Sequence, residues 1–120
     1  MVRYFDDAPS QSTRAAQVWQ ILVSKAMNRQ TLTYGQLASM LGFERAGTLA
    51  HILGHIMHYC IQGGLPPLTV LVVNQETGLP GEGLIQAELN ADRENVFGFN
   101  WYGLIPPSAD ELSTAYGKAK

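Results

Sequence analysis

Three histidines share one face of a predicted third helix over residues 45–62. At about 100° per residue, Thr48, His51, His55, His58 and Gln62 lie opposite an apolar stripe. Thr, His and Gln can hydrogen-bond base edges or phosphates, so this strip is the first candidate for nucleic-acid contact. His51 and His55 are four residues apart, a spacing that can hold zinc. No Glu follows His51, however, and no acid stands near to complete the set, so no metal is expected. Imidazole changes charge between about pH 5 and 8, so contacts made by these rings would depend on pH.

The other candidates are sparser. Gly47, Ala50 and Gly54 line one flank of the same helix. A glycine in a helix interior costs about 1 kcal/mol relative to alanine, so Gly54 implies something that comes close, either a packed helix or a nucleic-acid backbone. Cys60 falls on the apolar stripe and reads as a buried structural thiol. No serine stands with a base in a nucleophile pattern. The loop Asn74-Gln75-Glu76-Thr77-Gly78-Leu79-Pro80-Gly81-Glu82-Gly83 lacks the lysine of a phosphate loop and opens no helix. A non-enzymatic chain without a cofactor is expected.

These residues need elements to hold them. The chain has 120 residues, 46% of them hydrophobic and 15% charged, with a net charge of −2. That suits one modest core and excludes a large multidomain enzyme. A strongly basic chain, the usual mark of tight non-specific nucleic-acid binding, is excluded as well. With a single cysteine, no internal disulfide can form. No apolar run approaches the roughly 20 residues of a membrane span, and residues 1–14 show no secretory pattern, so a cytoplasmic protein is expected. Charge is uneven. Residues 13–63 hold four basic groups against Glu44, while residues 64–120 hold three basic and seven acidic ones.

After a flexible lead-in over 1–11, Ala15, Val18, Trp19, Leu22 and Ala26 mark one face of a helix ending near Met27. Thr33 and Gln36 form a capping box for a second helix, with Gly42 as its left-handed terminator. The third helix follows at once and carries Leu49, Ile52, Leu53, Ile56, Met57 and Cys60 inward. Gly63-Gly64 and Pro66-Pro67 end it. Residues 68–73 read as a strand and 83–86 as a short edge partner, which together would make a β-hairpin. Phe97, Phe99, Trp101 and Tyr102 supply an aromatic cluster, and Ser108 with Glu111 caps a weak last helix. The predicted fold class is α+β: a three-helix winged helix-turn-helix over 12–104 with a hairpin wing, then a C-terminal appendix over 105–120.

The stretch from Leu32 to Gly83 resembles the DNA-binding domain of the O6-alkylguanine-DNA alkyltransferases and the alkyltransferase-like proteins. Thr33-Tyr34-Gly35-Gln36-Leu37-Ala38 looks like the start of that family's second helix. Arg45-Ala46-Gly47-Thr48-Leu49-Ala50 is similar to the start of its small-residue recognition helix, and Leu65-Pro66-Pro67-Leu68 with Val72-Val73 to the segment leading out of it. The resemblance implies minor-groove binding, where small side chains let the helix approach the groove floor. It also implies a phosphate contact for Tyr34. The family's proline-cysteine-histidine-arginine motif is absent, so alkyl transfer by that mechanism is not expected. The expected partner is duplex DNA, contacted by Tyr34, Arg45, Thr48, His51, His55 and His58, with Arg29 adding general attraction. Binding should be weak unless a preferred site or a second copy of the chain contributes. The alternative is a protein-interaction module using the acidic second half and the aromatic cluster.

Overall fold

The computed structural model describes residues 1–5, 10–44, 46–79 and 89–119. Among them, five helices alternate with short connectors: α1 (Gln11–Met27), α2 (Tyr34–Met40), α3 (Leu49–Gly63), α4 (Leu89–Gly98) and α5 (Ala109–Lys118). Two two-residue strands, β1 (Leu32–Thr33) and β2 (Val72–Val73), complete the architecture.

Local chemistry places the ends. The Ser10 side chain caps α1 by accepting from the Thr13 amide. Thr33 and Gln36 form the expected reciprocal box on α2. Gly42 then takes φ +78°, a conformation without side-chain clash only for glycine. A short 3-10 turn (Ala46–Thr48) leads into α3, which Gly64 ends at φ +67°. The Ser108–Glu111 box on α5 is also present.

α1 and α3 sandwich the core. Val18 and Leu22 meet Leu49, Ile52, Leu53 and Ile56 in one cluster that also takes in Leu68 and Leu71. Trp19 sits edge-on to both Tyr59 and Trp101, with ring centroids 5.7 Å apart in each pair. Trp101 is buried, and its indole N–H donates to the Val96 carbonyl at 2.7 Å. α5 lies across α1 and α3, buried through Leu112 and Ala115.

The predicted fold class is overturned: the described residues are largely helical and include no hairpin wing. Residues 68–71 form a 3-10 turn rather than a strand. Their apolar side chains are all buried, so the β-like composition is satisfied by packing and not by a ladder. Only Val72 and Val73 extend, and they pair in parallel with β1, Leu32 opposite Val72 and Thr33 opposite Val73. The expected partner segment, 83–86, lies outside the described residues. After β2 the chain turns on Asn74, whose Oδ1 accepts from the Glu76 amide at 2.8 Å. The Arg93 guanidinium fixes this turn to α4 by donating to the Gly78 carbonyl. No helix among the described residues is long and apolar enough to cross a membrane.

Candidate nucleic-acid interface

The histidine strip is not the open surface its polarity suggests. α5 packs against it, and Tyr116 stands at the centre of the contact. The His55 ring stacks on the Tyr116 ring, with centroids 4.1 Å apart and planes 11° from parallel. His51 Nδ1 and the Tyr116 hydroxyl share a hydrogen bond of 2.8 Å. His58 approaches the same ring at 6.1 Å and a 51° tilt. At the far end, the Gln62 amide donates to the Ala115 carbonyl at 2.8 Å.

His55 is only 4% exposed. Its Nδ1 lies 2.6 Å from the His51 carbonyl, which can only accept, so Nδ1 carries the proton and Nε2 is the basic nitrogen. Gly54 explains how the tyrosine fits. A Cβ there would stand 2.9 Å from Tyr116 Cε1, closer than real Cβ contacts come. The mid-helix glycine thus accommodates an internal helix, not a ligand.

The structure gathers His51, His55 and His58, and scatters the other predicted residues. Thr48 is exposed at the N-cap of α3 without a side-chain cap bond. It opens onto a different cleft, about 530 Å³ in volume, beside Phe43, Glu44, Ile52 and Arg14. The Arg14 guanidinium lies over the Phe43 ring at 5.3 Å and donates to Gln17. Tyr34 is half-buried and packs against the core. Arg29 is engaged within the fold. It sits at φ +54° after α1, donates to both carboxylate oxygens of Glu94 at 2.7 and 3.0 Å, and covers the Phe97 ring. Arg45 lies outside the described residues. The one functional-looking residue that sequence reasoning passed over is Tyr116, although Gly54 was a signal that some ring or backbone must come close.

Two titratable groups behind the strip are shifted. Burial pushes the Cys60 thiol from 9.0 to about 11, against a small opposite pull from the Leu68 backbone. Tyr59 is raised by burial, then by the negative charges of Glu111 and Cys60. A thiol held protonated is a poor nucleophile, consistent with a structural role. Among the described residues no group of three or more His, Cys, Asp or Glu side chains could hold a metal ion.

The approach to α3 and its first turn are open. Gly47, Thr48 and Ala50 are exposed, and a Cβ at Gly47 would meet nothing within 4 Å. Residues 46–75 contain no Asp, Glu, Lys or Arg at all. No known protein family, curated protein or solved structure matches the chain.

Proposed function

We propose that this is a non-enzymatic DNA-binding protein whose groove-facing surface is the N-terminal end of α3. The observation that carries the reading is the exposed, nearly side-chain-free start of that helix at Gly47, Thr48 and Ala50, reached from α2 through the tight Gly42 turn. Small residues let a helix backbone approach a groove floor closely. The likeness of residues 32–83 to the alkyltransferase DNA-binding domain supports the same surface. The strip at His55 and His58 contributes less than its sequence suggests, because α5 covers it.

Electrostatics set the expected strength. Arg29 is engaged with Glu94, so about one or two phosphates are neutralised and the logarithmic salt slope is near −1 to −2. Affinity for arbitrary duplex is then weak, with Kd at or above roughly 10⁻⁵ M at physiological salt. The test is fluorescence anisotropy with a labelled duplex at about 50 and 200 mM salt, using wild type and Ala50→Glu. Ala50 is exposed, so the variant should keep the fold while placing bulk and negative charge on the groove face. Binding that Ala50→Glu abolishes supports the reading. No binding at low salt, or equal binding by both proteins, overturns it.

A second reading is a protein-interaction module. It is favoured by the absence of charge over residues 46–75 and by exposed Met40 and Ile61, because charged residues are depleted at the centres of protein interfaces. It predicts no duplex binding at any salt and concentration-dependent self-association that Met40→Glu removes, read by sedimentation.

A further inference from the structure

We propose that the cleft between the start of α1 and the α2–α3 connection is a binding site for a small zwitterion, an α-amino acid with an apolar side chain. The inference stands on the lining of this cleft and does not require the DNA-binding reading.

The cleft has a volume of about 530 Å³. Sites that take small molecules run from roughly 300 to 1,000 Å³. Its apolar part is made by Phe43 and by Ile52, which is only 2% exposed. The Gly42 turn holds Phe43 in place, because the Phe43 amide donates back to the Ala38 carbonyl at 2.9 Å. A Cβ at Gly42 would meet nothing within 4 Å, so the turn leaves the mouth of the cleft open. An apolar group that settles on Phe43 and Ile52 gains free energy in proportion to the area it removes from water.

Two opposite charges line the same cleft, Arg14 from α1 and Glu44 from just beyond the Gly42 turn. They do not bond to each other. Among the described residues the Glu44 side chain makes no hydrogen bond or ion pair. Arg14 is held in position: its guanidinium lies 5.3 Å from the centroid of the Phe43 ring, and Nη1 donates to Gln17 Oε1 at 2.8 Å. A guanidinium has five N–H donors, so it can take a carboxylate while it keeps the Gln17 bond. The Gln11 amide and the Thr48 hydroxyl, which makes no cap bond, supply uncharged polar groups to the same walls.

Each part of the ligand follows from this lining. Its carboxylate meets Arg14, its ammonium meets Glu44, and its side chain covers Phe43 and Ile52. A simple carboxylate would place a like charge near Glu44, and a simple amine would place one near Arg14. A zwitterion suits both. Glu44 is exposed and Arg14 half-buried, so each ionic contact is modest and the Kd is on the order of 10⁻³ M or tighter.

The experiment follows amide NMR shifts of the full chain as L-leucine or L-phenylalanine is added to about 20 mM. Saturable shifts at Gln11, Gly42 and Thr48 are expected, with α4 unmoved. For leucine, the analogues that lack one charge are 4-methylpentanoate and 3-methylbutylamine. Both should bind at least about tenfold more weakly. Glu44 is exposed, so Glu44→Gln should keep the fold. It should bind leucine at least about tenfold more weakly and lose the preference for leucine over 4-methylpentanoate. No saturable shift, shifts spread along the chain, an analogue that binds as tightly as leucine, or undiminished leucine binding by Glu44→Gln overturns the proposal.

Discussion

Both faces of α3 pack against other helices, yet by different means, and the polar one leaves His51 exposed. One face gives Leu49, Ile52, Leu53, Ile56 and Cys60 to an aliphatic core shared with α1. The other gives His51, Gly54, His55 and His58 to α5, through one aromatic ring and a few hydrogen bonds. Burial on the first face follows from apolar area. On the second it depends on ring geometry and on the space Gly54 leaves for Tyr116. A polar helix face is thus not the same thing as an exposed one.

The largest expected effect lies on the apolar face. Ile56 is fully buried, and Ile56→Ala should destabilise the fold by about 3 kcal/mol through lost transfer energy and a residual cavity. Urea unfolding measures it, and a change under about 1 kcal/mol would mean the face collapses freely around the gap. Next comes Cys60 on the same stripe. Its folded pKa is raised from 9.0 to about 11, so the folded state holds its proton more tightly than the unfolded state. Stability from this group is therefore complete below about pH 9 and is lost as pH rises towards 11, by up to roughly 2–3 kcal/mol. Cys60→Ala should flatten the alkaline limb of the stability profile, and an unchanged limb would deny the thiol this role. The smallest effect tests the polar face. Tyr116→Phe removes the hydroxyl that bonds His51 but keeps the stacked ring, for a loss of about 1 kcal/mol by thermal unfolding. A loss above about 3 kcal/mol would place the polar face on a par with the core.

Much of the framework was legible from residue type. The capping boxes at Thr33 and Ser108, the glycine stops at Gly42 and Gly64 and the α1 and α3 stripes rest on local rules that hold wherever the segment is placed. Residues 68–73 misled because β-branched, apolar composition reports burial as readily as a ladder, and Pro67 leads into a 3-10 turn there. The histidine strip misled for a different reason. Gly54 signals a close approach, but nothing within α3 reveals that a tyrosine sixty-five residues from His51 makes it. Arg29 reads as a free cation in sequence, whereas Glu94, which binds it, comes from a helix whose placement depends on the whole fold.

The two-residue parallel sheet has a consequence for how the chain folds. Leu32 and Val72 meet across an excursion that contains α2, α3 and the 68–71 turn. Closing so long a loop for so few hydrogen bonds is entropically unfavourable until the helices within it have packed. The β1–β2 amides should therefore gain protection late in refolding, which makes this small ladder a reporter of completed assembly and not its nucleus.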